Sequence, residues 1–443
     1  MENKFMVVGK SALAILSSTI IVLPFMLLVQ LSNGKTFLTV LPFVLFYTFR
    51  MTGIFFIRGI KTKLNSFNLL RISLYCGLLG CIFGMVGTLY FPAYVFAGFF
   101  LGLSGAWLPP ANTVIGQYLK KNGMGVASKG LFSALILVLI GASLMLPSDY
   151  KNFVFFAIYG VMYVLSFQTI KIIDSYEVDS HDMEEASYLY TILFAVFFIL
   201  LFVLRSSRLL NNAIYFDYFI NSFFLIGLIG VVLISFFRNK VQRHISNDLM
   251  FLTFINGAVG NYLFLFSSLY TAAYYGRNQA FLYFYLPYVL GNVLAPKFAP
   301  MLKQHVKRDS FIGIVGGLLI ILLTPLFPIG LFIVSTFKGT LNGWLTREYS
   351  DKEVIPADKR IWVKYTLQNI GSILHQFLLM FIASVIIMKA GRSIQTFFVM
   401  TTAKWPTPES MRVMREWNDV ATGLVIAAIV GYILIFSYKR KVK

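Results

Sequence analysis

Stretches of about twenty apolar residues recur from one end of this 443-residue chain to the other. That recurrence restricts the fold more than any single motif does. A run of this length crosses bilayer hydrocarbon as a helix, which satisfies its own backbone hydrogen bonds where no water is present. The runs predict fourteen helices: 11–31, 37–57, 71–90, 94–116, 130–147, 152–170, 189–204, 219–237, 249–275, 280–301, 310–326, 327–346, 362–388 and 421–438. With 58% hydrophobic and 13% charged residues, a soluble chain of this length could not cover its apolar surface. No small-residue cleavage site follows the first run, so it reads as a retained helix and not a cleaved signal peptide.

The formal charge of +20 would suggest nucleic acid in a soluble protein. Here the lysines and arginines cluster between apolar runs, no nucleic-acid module is present, and the partners expected are the lipid bilayer and a small-molecule or lipid substrate. Placing both termini in the cytoplasm puts 26 basic residues in inside loops and 10 outside, with two left inside helices. The positive-inside rule favours this arrangement, that of a multi-pass plasma-membrane protein. Cys76 and Cys81 lie within one apolar segment and read as small core residues.

A repeat runs through the predicted helices. FLTVLPFVLFYTFR (Phe37–Arg50) and FLYFYLPYVLGNVLAP (Phe281–Pro296) share Phe-Leu, then Leu-Pro, then an aromatic continuation. Each leads through a basic loop to Ser-Phe, at Ser66-Phe67 and Ser310-Phe311, and SGAWL (Ser104–Leu108) answers NGWL (Asn342–Leu345). The expected fold is an all-α polytopic membrane protein with two six-helix bundles, residues 1–170 and 249–443. Residues 171–248 would hold an acidic linker and an extra helix pair. With the loop RGIKTKLN (Arg58–Asn65) and the fourth helix GFFLGLSGAWLPPANT (Gly98–Thr113), the pattern resembles the fourteen-helix form of the major facilitator superfamily. That resemblance implies a secondary transporter working by alternating access. The loop departs from the superfamily's signature in lacking an aspartate, which puts the usual gate salt bridge in doubt. TREYSDKEVIPADKR (Thr346–Arg360) is similar to a loop of that superfamily's sodium–sugar symporters, whose intramembrane carboxylates are missing here.

No GxSxG, HExxH or phosphate-cradling glycine-lysine loop is present, so no catalytic residues, cofactor or metal site is expected. The informative pattern is a census of charge. All 18 acidic residues fall in loops, tails or helix ends, whereas Arg50 and Lys338 sit inside predicted helices. A charge at the bilayer centre costs about 3 kcal/mol or more, so each needs a cavity or a partner. Two readings stand: recognition of an anionic substrate by Arg50 and Lys338, or packing of Arg50 on Phe46, Tyr47 and Phe49 and on helix carbonyls.

Polar residues at helical spacing would line the same cavity: Asn112, Asn261, Tyr288, Asn292, Gln368 and His375. Interhelical hydrogen bonding is the alternative for each. His375 is the intramembrane group that titrates near neutrality. Arg58, Lys61 and Lys63 opposite Glu348, Asp351 and Glu353 suggest a breakable cytoplasmic gate. Thr407–Val420 reads as a capped amphipathic helix outside the membrane, with Met411, Met414, Trp417 and Val420 on its apolar side. The expected function is secondary transport of an anionic or amphipathic small molecule or lipid, with efflux as open as uptake. The alternatives are a flippase of the multidrug/oligosaccharidyl-lipid/polysaccharide type, with seven plus seven helices, and a membrane-embedded transferase.

Overall fold

The computed structural model describes the chain except residues 1–3, 32–35, 61–63, 124–129, 145, 172–175, 177–187, 210–221, 223–225, 228, 231–244, 277–278, 403–404 and 442–443. Every regular element among the described residues is helical. The chain divides into two compact units, Met1–Leu210 and Asn211–Lys443.

The first unit opens with α1 (Lys4–Thr19) and α2 (Leu23–Leu31), bent by 52° at Ile20–Val22. The sequence reading expected one helix over 11–31. Pro24 accounts for the break: it has no N–H for the carbonyl four residues earlier, and its ring clashes with that carbonyl. Thr19 fixes the bend by bonding back to the Ile15 carbonyl at 2.8 Å and across to the Tyr159 hydroxyl at 2.6 Å. α3 (Phe37–Gly59) starts at a capping box in which the Thr36 and Thr39 side chains bond each other's backbone amides. α4 (Ser66–Val86) starts where Asn65 caps the Asn68 amide, and α5 (Ala93–Lys121), α6 (Gly130–Leu144) and α7 (Ser148–Ile170) complete six.

α5 packs along both α3 and α4, α4 also against α7, and α7 against α1. The α3–α5 crossing is close because Gly98 of α5 faces the backbone carbonyl of Pro42, where a Cβ would collide. Trp107 of α5 donates to the Gly53 carbonyl of α3 at 2.9 Å. A seventh helix, α8 (Tyr188–Leu209), lies against α3 in antiparallel register. Phe198 meets Phe49, Phe194 meets Phe56, and the Thr191 hydroxyl donates to the Gly59 carbonyl. Most of the other member of the expected extra pair, 219–237, and most of the acidic linker lie outside the described residues.

In the second unit α9 (Asn247–Asn261) runs through a π turn (Tyr262–Phe266) into α10 (Ser267–Tyr274). Another π turn (Phe281–Tyr285) leads into α11 (Leu286–Phe298), and a 3₁₀ segment (Ala299–His305) joins it to α12 (Val306–Leu322). α13 (Phe327–Ser350), α14 (Arg360–Lys389), α15 (Ile394–Thr402) and α16 (Pro408–Lys441) follow. The packing order of the first unit recurs. α13 lies along both α11 and α12, and α12 against α16, just as α5 lies along α3 and α4, and α4 against α7.

Nine described helices, or ten with the bent α1–α2 pair taken as one span, are long and apolar enough to cross a membrane. Three more of the fourteen expected spans are present but short as regular helix: α6, α11 and α12 have 15, 13 and 17 residues. Prolines 287, 296 and 300 break the regular pattern around α11. The expected outside helix over Thr407–Val420 is not separate, since α16 continues through it to Lys441. Thr407 does cap it, accepting from the Ser410 amide at 3.1 Å, and Met414 and Trp417 are buried. No proline follows Pro408 and the first later glycine is Gly423, so nothing ends the helix at Val420.

Gly98→Val places a branched side chain against the Pro42 carbonyl. It is expected to lower the detergent melting temperature of the purified protein, at a cost of about 1–3 kcal/mol. Gly423→Ala, which meets nothing within 4 Å, should leave the melting temperature level or raise it.

Candidate functional site

Three helices of the second unit carry four of the eight expected binding residues, Lys338, Asn261, Gln368 and His375. On α13, Lys338, Asn342 and Thr346 recur every fourth residue and share one face. That face meets α9 along an antiparallel seam. Tyr349 bonds Thr253 at 3.0 Å, Asn256 donates to Asn342 at 3.2 Å, and the Lys338 ammonium lies over Gly260, where a Cβ would stand 3.3 Å from Nζ. α14 closes the third side. Gly257 sits on the Gln368 backbone and Gly371 on the Phe254 backbone, so α9 and α14 cross at close range. Asn261 donates to the Ser372 carbonyl at 2.5 Å.

A second cation enters from α14. Lys364 is 0% exposed and donates to the Thr346 hydroxyl at 2.8 Å, with its ammonium 4.8 Å from the Tyr365 ring centre. Thr346 and Lys338 share one face of α13, so both lysines lie along the same seam. Neither lysine has a carboxylate partner among the described residues. The same helices carry buried polar atoms with no hydrogen-bond partner among the described residues: Asn256 Oδ1, Asn261 Oδ1, Gln368 Oε1 and His375 Nδ1. Lys364 falls in the first turn of the helix predicted over 362–388 and is not among the mid-helix cations that the sequence singles out. The missed signal was its place among Trp362, Val363, Tyr365 and Leu367, an apolar setting that α14 continues back to Arg360.

Arg50, the other cation singled out from sequence, has partners. Its Nη1 donates to the Ile21 carbonyl at 3.2 Å, which the α1–α2 break leaves without an intrahelical bond, and its Nη2 meets the Met51 sulfur at 3.2 Å. The guanidinium carbon lies 5.4 Å from the Tyr47 ring centre, and the stem crosses Gly105 of α5. This is the aromatic-and-carbonyl alternative of the sequence reading. Unexpected is Arg205, which that reading placed in an outside loop. It lies within α8, is 2% exposed, and sits 3.9 Å over the same Tyr47 ring.

The remaining residues fall elsewhere. Asn292 bonds the Tyr288 carbonyl and Ser335 hydroxyl, each at 2.9 Å, within the α11–α13 seam. Asn112 is half-buried on α5. Arg58 packs on Tyr190 of α8 at 4.1 Å, Glu348 ends α13 half-buried, and Asp351 and Glu353 are exposed beyond it. Lys61 and Lys63 lie outside the described residues. Among the described residues no cluster of histidine, cysteine or carboxylates could hold a metal ion.

No protein-family model and no curated relative matches the sequence. Solved structures do. One, from work on substrate recognition in proton dependent oligopeptide transporters, is 12% identical over 99% of both chains, with a TM-score of 0.57. A bacterial homologue of the human drug peptide transporters PepT1 and PepT2 is 12% identical over 99% of both chains, at 0.52. A peptide transporter POT in complex with sulfate is 13% identical, covering 98% of this chain and 93% of that one, at 0.51. The fold is of the major-facilitator type. At these identities the likeness carries architecture and leaves the site to be read from this chain's own residues.

Because Arg50 compensates the carbonyl exposed at the α1–α2 break, Arg50→Ala is expected to destabilise the protein by about 1–3 kcal/mol. A lower melting temperature in detergent checks this. An unchanged value would mean that the Ile21 bond contributes nothing.

Proposed function

We propose that the protein is a secondary transporter of a small anionic solute, working by alternating access of its two helical units. The units would be residues 1–170 and 249–443, with 171–248 inserted between them, in the plasma membrane with both termini cytoplasmic. Arg58, Lys61 and Lys63 facing Glu348, Asp351 and Glu353 would gate the cytoplasmic side. The observation that carries the substrate class is the pair Lys338, half-buried over Gly260, and Lys364, fully buried on Thr346, both along one face of α13 and without a carboxylate partner among the described residues. Two like charges in a desolvated site raise each other's cost, and a bound anion relieves both at once. Asn256, Asn261 and Gln368 contribute acceptor oxygens without partners on the same helices, suited to the hydroxyl or amide donors of an organic acid.

The test uses the full chain reconstituted in liposomes, with counterflow of labelled small carboxylates and phosphates set against neutral solutes of equal size. Lys338→Ala and Lys364→Ala should each reduce counterflow of the anion at least tenfold. The melting temperature of the solute-free protein should hold level or rise, since an uncompensated charge has been removed. Preference for a neutral solute, or counterflow indifferent to both substitutions, would refute the reading.

A further inference from the structure

A second uncompensated charge lies in the first unit, in a place the transport site does not use. Arg205 sits on the face of α8 that packs against α3, where its neighbours Leu201 and Leu204 are also buried; the opposite face, with Ile192 and Ile199, is exposed. The antiparallel register that sets Thr191 beside Gly59 brings Arg205 level with Tyr47, ten residues into α3 from Phe37. At 1.5 Å per residue that is about 15 Å along the helix, near the middle of a membrane span. The Tyr47 ring covers the guanidinium plane from one side at 3.9 Å. The edge of the plane is unsatisfied: Nε and Nη2 are buried, and among the described residues neither has a hydrogen-bond acceptor. The neighbouring Ser206 hydroxyl is buried without a partner as well.

Which two nitrogens are left over decides the chemistry. Nε–H and Nη2–H point the same way from one side of the guanidinium and form the fork that takes two oxygens of a single oxyanion. A lone acceptor, such as a carbonyl or a water, would fill only half of it. A cation–π contact is worth about 2 kcal/mol when desolvated and leaves the in-plane donors unsatisfied. We infer that the α3–α8 interface is an oxyanion-binding site, with Arg205 as the fork and Tyr47 as the floor. The occupant is a carboxylate or phosphate group, carried either by a small solute or by an anionic lipid. The inserted helix therefore adds a ligand site to the six-helix bundle on which it packs.

Melting temperatures of the purified full chain in a neutral detergent test this, at constant ionic strength set with sodium chloride. Inorganic phosphate and acetate are titrated in one arm. In the other, phosphatidylglycerol is titrated against phosphatidylcholine. A saturable rise of several degrees is expected with an oxyanion or with phosphatidylglycerol, and none with phosphatidylcholine; which arm responds identifies the source. Arg205→Gln should abolish the rise and lift the anion-free melting temperature. Arg205→Lys, which keeps the charge and loses the fork, should weaken the apparent affinity at least tenfold, and stands in if the glutamine variant does not accumulate. The rise should persist in Lys338→Ala/Lys364→Ala protein, which separates this site from the transport site of the second unit. The inference is overturned if wild type shows no rise, or if the rise survives Arg205→Gln.

Discussion

A positive charge inside an apolar span has to be compensated, and this chain offers almost no carboxylates at the depth where its cations lie. Its described ion pairs sit at helix ends. Asp248, in the first turn of α9, takes Lys307 at 3.1 Å and the Tyr432 hydroxyl, while Lys389–Glu416 and Arg392–Glu409 join helix ends elsewhere in the second unit. Deeper in, compensation comes from weaker sources. Arg50 uses a carbonyl released by a helix break, Arg205 an aromatic face, Lys364 a hydroxyl and a ring. None of these partners carries the negative charge that a carboxylate would supply.

The irregular backbone is where those neighbours come from. A regular transmembrane helix has no backbone groups to spare, so a carbonyl becomes available only where the i to i−4 pattern fails. The α1–α2 break at Ile20–Val22 is such a failure, and Arg50 takes the Ile21 carbonyl within it. In the second unit the π turn at Tyr262–Phe266 directly follows Asn261, and it stacks Tyr262 on Phe266 and Phe266 on Tyr270 along one side of the helix. Mid-helix π turns of this kind often mark functional positions. Here the turn lies between the buried lysine seam below Asn261 and the aromatic column above it.

Much of the architecture was legible because the span-length apolar rule is physical and coarse. Helices at 37–57, 94–116 and 362–388 were found within a few residues, and the Leu-Pro to Ser-Phe repeat located elements that occupy equivalent places in the two units. The sites were less legible. Lys338 stood out because its segment is apolar on both sides. Lys364 and Arg205 escaped because each lies within five residues of a described helix end, where composition alone makes a charge look solvated. Whether such a side chain turns inward depends on what packs there, and that is tertiary information: α8 against α3, α14 against α13. Arg50 was found, but the partner that holds it was not, because the break at Ile20–Val22 was read as continuous helix.

The lateral docking of α8 also bears on how the chain is made. The helix leaves the ribosome after all six helices of the first bundle, carrying a residue whose insertion at a helix centre costs about 2.5–3.5 kcal/mol. Thirteen leucine, isoleucine, valine and phenylalanine residues between Tyr188 and Leu204 offset this, at about 0.3–0.6 kcal/mol apiece. α8 can therefore enter the bilayer unaided and find α3 afterwards by sideways diffusion. Its arginine would travel through lipid until Tyr47 covers it. A nascent chain stalled before that encounter would present an unshielded guanidinium within the membrane, a feature that membrane quality-control machinery could recognise.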